Sequence, residues 1–229
     1  MSIKIENVEV FGWESAIRGM RNPMNSWHLS DSKYHLFEGA GNFMTEIGEN
    51  DLHLMQNLAK AGSDHAKYLR MINVTFDCTA PLYWWKEADT YAVGVVKNSC
   101  STMHKIHAKK FTLDDFSHEH LISDWIVDNV ESFAFDVVGN PVAPIDVLNI
   151  TIHSLNVNRE AFLKTKDKKY WWQMIQLLPS SYNQKRTVQL NYAVLWNMYK
   201  ARKNHKLDEW RTFCEWCESL PYFKERFCL

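Results

Sequence analysis

The chain has 229 residues, a formal net charge of −1, and 46% hydrophobic against 23% charged residues. This composition is typical of a globular protein, and we predict one domain over residues 1–229. The near-neutral charge disfavours DNA or RNA as a partner, because nucleic-acid binding needs a strongly basic face. No apolar run reaches the roughly 20 residues of a membrane span. The five Cys show no disulfide spacing and no signal peptide is recognisable, so we expect a cytoplasmic protein without a membrane partner.

In chain order, apolar–polar alternation and β-branched residues predict strands, and apolar spacing of three and four residues predicts helices. The first elements are a strand over 3–11, a short helix from Glu14 to before Pro23, a helix over 51–61, a buried strand over 68–78 and a helix that begins at Pro81. Then follow a helix over 112–135, a turn over 139–144 and helices over 158–178, 187–203 and 207–219. The C-terminal third is therefore predicted to be mostly helical.

The common catalytic and metal-binding motifs are absent from the sequence. It contains no G-x-S-x-G, no Walker loop, no G-x-G-x-x-G and no H-E-x-x-H. The closest histidine sets are His104 with His107 and His118 with His120. We predict solvated histidines and no metal site. Cys214 and Cys217 form a C-x-x-C late in a predicted helix, without a second ligand pair, which favours ordinary packing over zinc or redox chemistry.

Three polar segments are candidates for holding a small anion or ligand. Arg18 and Arg21 lie in a stretch with Gly and Pro that could present them to a phosphate, although surface charges are the alternative. The cluster Lys164–Lys169 precedes Trp171–Trp172 and is either an anion-attracting rim or a solvated helix start. Small polar residues over Asn98–His104 could line a pocket or form an ordinary loop.

The C-terminal stretch LPSSYNQKRTVQLNYAVLWNMYKARKNHKLDEW carries a spaced set of residues downstream of Pro179. Asn191 follows twelve residues later, and Leu195, Asn197 and Arg202 come after it. Asn191, Leu195 and Arg202 are spaced i, i+4 and i+11, so we predict them on one helix face. This pattern resembles the flavin-dependent (complementing) thymidylate synthases, which show the same Leu-Pro, Asn, Leu, Asn or His, and Arg order.

Further motifs of that family are matched within HAKYLRMINVTFDCTAPLYWW and NSCSTMH. The matching residues are His65, Thr75, Phe76, Ala80, Pro81, Asn98 and Ser101. The family's Arg-His-Arg signature is replaced by Thr90-Tyr91-Ala92, and three further places that are charged in the family hold Ser99, Met103 and Ile175. Most arginines that would hold the phosphates of the ligands are therefore missing, so the resemblance is to a divergent member.

The resemblance implies an α/β (α+β) fold, with a central sheet flanked by helices and a helical C-terminal layer. It implies FAD as cofactor, NADPH and methylene-tetrahydrofolate as co-substrates, and a homotetramer. The implied activity is one-carbon (methyl) transfer to C5 of a deoxyuridine nucleotide in dTMP biosynthesis. The protein would orient the reactants and place charge, without a protein nucleophile. The alternative is a non-catalytic protein of the same fold that binds a nucleotide or nucleotide signal.

Site residues follow from the matched places. Arg202 and Ser101 are expected to be catalytic, and Arg202 would stabilise charge on the pyrimidine. The flavin is expected to contact His65, Asn98, Asn191 and Asn197. The nucleotide is expected to contact Arg202, Ser101, Lys86 and Arg21, the last two in place of missing arginines. In the binding-protein alternative Trp84, Trp85, Trp171 or Trp172 could stack on a base, although packing is the other role for each.

Overall fold

The computed structural model describes residues 3–36, 43–124, 126–127, 130–131, 134–136 and 138–224. The chain divides into two compact units. Unit 1 comprises residues 1–4, 79–87 and 99–186, and unit 2 comprises 5–78, 88–98 and 187–229. The expectation of a single domain stays a prediction.

The described residues form a mixed α/β fold with an antiparallel sheet flanked by helices, which confirms the predicted fold class. The helices are α1 (Trp13–Arg21), α2 (Glu49–Lys60), α3 (Leu82–Ala88), α4 (Thr102–Lys105), α5 (Pro144–Thr165), α6 (Lys168–Leu177), α7 (Tyr192–Arg202) and α8 (Asp208–Ser219). None of these helices is long and apolar enough to cross a membrane.

The strands form one four-stranded sheet and three two-stranded sheets in the described part of the chain. They are β1 (Lys4–Phe11), β2 (Lys33–Leu36), β3 (Phe43–Glu46), β4 (Asn73–Pro81), β5 (Val96–Ser99), β6 (Ile126–Val127), β7 (Val130–Glu131), β8 (Ala134–Phe135), β9 (Pro141–Val142) and β10 (Asn183–Asn191). The four-stranded sheet has the order β1-β4-β10-β5. The pairs β2–β3, β6–β7 and β8–β9 are antiparallel.

The core of unit 1 lies along α5 and α6. Its buried residues are Ile106, Phe111, Phe116, Leu148, Ile152, Leu155 and Met174. Leu148, Ile152 and Leu155 recur at spacings of four and three on α5, so one stripe of that helix faces the core. The side chain of Asn156 holds the backbone of Phe111 through two hydrogen bonds of 2.9 Å.

The core of unit 2 is rich in aromatic rings. The rings of Trp13 and Tyr192 are nearly perpendicular, with centroids 5.3 Å apart, and Tyr192 packs against Phe223 with centroids 5.8 Å apart. Gly12 precedes α1 with φ of 94°. A Cβ there would collide with the carbonyl oxygen of Met71, so both conformation and space require glycine at this place.

The predicted helix over 112–135 is wrong for the described residues. Thr112 and Asp115 close a single 3-10 turn, in which the Asp115 carboxylate accepts from the Thr112 N–H at 2.9 Å. Phe116 then pairs with Tyr182 in a β-bridge. Asp115 therefore closes one local turn instead of the first turn of a helix, and the short strands β6, β7 and β8 follow.

The predicted helix over 187–203 is wrong in its first part. Residues 183–191 form β10, in which Gln184, Val188 and Leu190 are buried at even-numbered positions. The helix begins at Tyr192, and Asn191 caps it from outside. The predicted shared helix face therefore does not include Asn191. Similarly, β4 continues through Pro81, where the sequence predicted the start of a helix.

Candidate functional site

A cavity of about 550 Å³ lies in unit 2 and contains two of the predicted cofactor-binding residues. It is bounded by the end of α2, the segment around Gly94 and the length of α7 from Asn191 to Lys200. We call it the asparagine cavity, after Asn191 and Asn197 in its lining. Its size is within the range of about 300–1,000 Å³ that small-molecule sites occupy.

Asn191 caps α7 and also lines the asparagine cavity. Its side-chain oxygen accepts a hydrogen bond from the Val194 N–H at 3.1 Å and so caps α7. Its amide nitrogen faces Gly94, where an added Cβ would lie 3.4 Å away. Gly94 has φ of 73°, so a side chain there would be strained and would approach this amide.

Asn197, Ser63 and two cations complete the polar lining of the asparagine cavity. Asn197 is exposed, and its amide offers both a donor and an acceptor to a ligand. Arg70 ends a 3-10 turn, and the Lys200 ammonium lies 5.5 Å from the ring centroid of Trp196. Among the described lining residues there are two cations and no carboxylate. The cavity therefore suits a polar ligand that forms hydrogen bonds with amides and carries an anionic group.

Arg202 lies at the C-terminal end of α7, and the described lining of the asparagine cavity does not include it. Its guanidinium carbon is 4.7 Å from the ring centroid of Trp210 and 5.6 Å from that of Tyr91. Its Nε donates to the Tyr91 hydroxyl at 3.1 Å. These contacts fix the direction of a half-buried guanidinium that has several N–H donors.

Ser101 lines a second cavity, of about 510 Å³, in unit 1. Four lysines, Lys4, Lys105, Lys109 and Lys185, share this lining, and we call it the lysine cavity. The Ser101 hydroxyl oxygen accepts from the His104 N–H at 3.0 Å and caps α4. Its O–H hydrogen remains able to donate to a ligand.

Three further predicted site residues lie outside the described linings of the two cavities. His65 and Asn98 are exposed in unit 2, and Lys86 is exposed on α3 in unit 1. Ser63 and Ala66, on either side of His65, do line the asparagine cavity. The ligand-binding roles of these residues stay predictions.

Arg21 is buried in unit 2 and forms an internal ion pair. It is 4% exposed, and its Nε donates to the Asp51 carboxylate at 2.6 Å. Its Nη1 also donates to the Ser26 carbonyl at 3.2 Å. We therefore leave Arg21 out of the proposed substrate site. Its neighbour Arg18 is exposed and lies 3.7 Å from Glu14.

The tryptophan pair on α3 and the C-x-x-C cysteines, which were also candidates in the sequence, are buried in the protein interior. Trp84 and Trp85 are each 1% exposed and so belong to the interior. Cys214 and Cys217 are buried free thiols in α8, and burial raises the pKa of Cys214 to about 11. No group of His, Cys, Asp and Glu in the described residues could hold a metal ion.

Sequence reasoning missed the cations of both cavities. Arg70 and Lys200 are about 130 residues apart in the chain, and Lys4 and Lys185 are farther apart still. No local motif marks any of them. The signal that was present, a Lys four residues after Trp196 on one helix, is too common to indicate a ligand site.

Comparison with known proteins identifies the fold. No family model matches the sequence, and no curated protein is significantly similar to it. The structure is similar to thymidylate synthase X (ThyX) from Helicobacter pylori, solved with FAD and dUMP, with a TM-score of 0.64 and 16% identity over 97% of this chain and 95% of that one. It is also similar to the UMP/dUMP methylase PolB from Streptomyces cacaoi, bound with 5-Br dUMP, with a TM-score of 0.57 and 14% identity over 99% and 94% of the two chains.

Proposed function

We propose that this protein binds a flavin and a deoxyuridine nucleotide and transfers a one-carbon group to C5 of the pyrimidine. One observation carries the proposal. Asn191 and Asn197, which the sequence resemblance assigns to the flavin, line one cavity together with Arg70 and Lys200. This arrangement places amide donors and acceptors near positive charge, as a flavin nucleotide requires.

The structural neighbours support the same class of reaction. One binds FAD and dUMP and the other is a UMP/dUMP methylase, so both act on or bind a uridine nucleotide. Their likeness to this chain covers nearly the whole fold at low identity. A shared fold alone does not transfer an activity, and the proposal therefore depends on the residues of the cavity.

The lining of the asparagine cavity fits part of a flavin nucleotide. Asn191 and Asn197 would bind the ring through their amides, and Arg70 and Lys200 would neutralise the phosphates. When bound, the reduced flavin would supply the hydride, with NADPH as reductant and methylene-tetrahydrofolate as carbon donor. Gly94 would keep the space beside the Asn191 amide open.

The sequence resemblance assigns Arg202, which lies in unit 2, and Ser101, which lies in unit 1, to the nucleotide. Trp210 and Tyr91 hold the Arg202 guanidinium in one direction, so its positive charge would stabilise negative charge on the pyrimidine oxygens. The Ser101 hydroxyl would donate a hydrogen bond to the nucleotide. Neither residue needs to attack the base, because the proposed reaction uses positioning and charge placement.

A flavin titration tests the proposal. FAD is added to the purified protein while the visible flavin spectrum and the tryptophan fluorescence are recorded. Asn197→Ala should weaken binding about five- to tenfold, since a neutral hydrogen bond contributes roughly 1 kcal/mol. Asn57→Ala is the matched control, because Asn57 is also an exposed helical asparagine of unit 2 but lies outside the described cavity lining.

Saturable binding that Asn197→Ala weakens and Asn57→Ala does not would support the site. Absence of binding at high micromolar FAD would refute the flavoenzyme. Conversion of dUMP to dTMP with NADPH and methylene-tetrahydrofolate would then test the transfer itself. The proposed homotetramer can be tested on the same samples by sedimentation.

A non-catalytic nucleotide-binding protein is the second candidate, and one observation favours it. Tyr91 occupies the place of the family's Arg-His-Arg signature, and its hydroxyl is the acceptor for Arg202. The described lining of the asparagine cavity contains two cationic side chains, fewer than the arginines that the family motifs provide for the phosphates. Binding of dUMP without FAD binding and without dTMP formation would favour this candidate.

A further inference from the structure

The connection between α5 and α6 in unit 1 concentrates positive charge at the surface. We call residues 163–172 the basic tip. Its four lysines and one aspartate give a net charge of +3, whereas the whole chain carries −1; they are Lys164, Lys166, Lys168, Lys169 and Asp167. Residues 163–169 are all exposed. The tip therefore presents a local positive field to an anionic partner.

The basic tip is a closed turn between two packed helices. α5 ends at Thr165 and α6 begins at Lys168, so two residues connect them. Leu155 of α5 and Met174 of α6 are buried in the same core. At the turn the Lys166 N–H donates to the Phe162 carbonyl at 2.8 Å. A short turn that is exposed along its length is convex, which suits a flat partner surface better than a groove.

The single aspartate of the tip is committed to the start of α6. The Asp167 carboxylate accepts from the Lys169 N–H at 3.0 Å and lies 3.2 Å from the Lys169 ammonium. The other three lysines form no ion pair within the described part of the chain; they are Lys164, Lys166 and Lys168. Their charges are therefore not neutralised by a neighbouring carboxylate.

Lys166 occupies a backbone position that favours glycine. Its φ is 58°, and it follows the last residue of α5. Helices commonly end with Gly or Asn in this left-handed conformation, because a larger side chain is strained there. The chain thus keeps a cation where the turn alone would be more stable with glycine. An outlier of this kind is consistent with a function for the side chain.

Apolar side chains lie among these lysines. Trp172 is 42% exposed and Leu163 is 37% exposed. The Lys168 ammonium lies 5.6 Å from the ring centroid of Trp172 and 5.8 Å from that of Trp171. Tryptophan rings are enriched at the headgroup level of bilayers, and lysines there reach the lipid phosphates.

We propose that the basic tip binds the surface of a membrane that contains anionic phospholipids. Lys164, Lys166 and Lys168 would contact the headgroup phosphates, and the Trp172 ring would lie at the headgroup level. Four or more clustered lysines suit such a surface. Single-stranded nucleic acid suits the tip less well, because it needs successive stacking platforms and the planes of Trp171 and Trp172 are 69° apart.

The proposed contact is peripheral. The expectation of no membrane partner came from the lack of a spanning segment and of a signal peptide, and neither bears on a site that lies on the bilayer surface. The contact is also independent of the flavin and nucleotide residues of the proposed function. Vesicle binding and FAD binding are measured separately, so either proposal can fail alone.

Co-sedimentation of the full chain with lipid vesicles tests the proposal. One set of vesicles contains phosphatidylcholine alone, and the other also contains phosphatidylserine. We expect binding to the second set only, and weaker binding as the salt concentration rises. Lys164→Ala should lower the partition coefficient about fivefold. Lys60→Ala is the matched control, since Lys60 is also an exposed lysine in the last turn of a helix but lies in unit 2.

Lys166→Gly separates binding from folding. It should lower the partition coefficient about fivefold as well, while urea denaturation should show no loss of stability, because glycine adopts the φ of 58° without strain. Trp172→Ala should weaken binding to the anionic vesicles through the loss of its ring, and the salt dependence should remain.

Equal binding to the two sets of vesicles would overturn the inference, as would its absence from both. Unchanged partition of Lys164→Ala and Lys166→Gly would also overturn it, because the lysines of the tip would then not be the contacts. An oligothymidylate serves as the competing probe. If it binds and Lys164→Ala weakens that binding, while anionic vesicles do not bind, the tip is a nucleic-acid site and the lipid assignment is wrong.

Discussion

Replacement of Asp51 tests whether Arg21 is a structural residue of unit 2. The Asp51 side chain is 0% exposed and accepts the 2.6 Å hydrogen bond from Arg21. It also accepts from the hydroxyls of Ser30 and Ser32 at 2.7 Å and from the backbone N–H groups of Asp31 and Ser32 at 3.2 Å. Asp51→Ala would leave the Arg21 charge buried without its counterion.

The loss of unfolding free energy expected for Asp51→Ala follows from the burial of the ion pair between Arg21 and Asp51. Removal of one partner from a buried ion pair costs about 3–5 kcal/mol, because the other charge stays uncompensated. For a chain of this size that corresponds to a fall in melting temperature of roughly 6–20 °C. The exposed pair Glu14–Arg18, with side chains 64% and 62% exposed, should contribute no more than about 0.5 kcal/mol.

Urea denaturation followed by tryptophan fluorescence measures both effects. Asp51→Ala should lower the free energy of unfolding several-fold more than Glu14→Ala does. A loss below about 1 kcal/mol for Asp51→Ala, similar to that of Glu14→Ala, would refute the reasoning. Arg21 would then be better explained as a cation held for a ligand.

The pH dependence provides an independent check on the same carboxylate. Burial alone would raise the pKa of Asp51, but the hydrogen bonds from Ser32, Ser30 and Arg21 outweigh it and lower the pKa. The stability that Asp51 contributes is therefore fully present above the unfolded carboxyl pKa of about 4 and is lost as pH falls through the lower folded value. The difference in stability between wild type and Asp51→Ala should narrow below about pH 4.

Three shorter predictions concern the proposed site and the thiols. Asn191→Ala removes the cap of α7 and should lower the free energy of unfolding by about 1 kcal/mol in urea denaturation; an unchanged value would contradict the cap. Tyr91→Phe removes the acceptor for Arg202 and should weaken dUMP binding about fivefold by calorimetry, whereas equal affinity would show that the contact does not orient Arg202. In the native protein near pH 8 a thiol reagent should modify Cys100 and spare Cys214, whose pKa burial raises to about 11; equal rates would show that the Cys214 thiol is accessible.

Local patterns in the sequence were sufficient to predict several helices and strands. The alternation over 3–11 predicted β1, and the spacing of apolar residues predicted α1, α2 and α8 to within a few residues. These predictions succeeded because each element buries one face with the period of its own backbone geometry. The family resemblance also implied the fold that the structural neighbours share.

Two elements were decided by residues distant in the chain. Residues 187–190 have an apolar content that suits either a helix or a strand, and pairing within the four-stranded sheet made them part of β10. A helix was predicted to begin at residue 112, but the chain makes a single turn there and Phe116 pairs with Tyr182 in a β-bridge. Tertiary pairing overrides local propensity in such cases.

The sequence alone brought Asn191 and Asn197 together, because one short segment of chain carries both residues. It could not pair Arg21 with Asp51, thirty positions away, nor place Arg70 beside Lys200 or Lys4 beside Lys185. Charged side chains carry no periodic signal of their partners, since Coulomb attraction depends on distance in space and on burial. Only the folded chain sets both quantities, so the cations of the two cavities were decided by the tertiary structure.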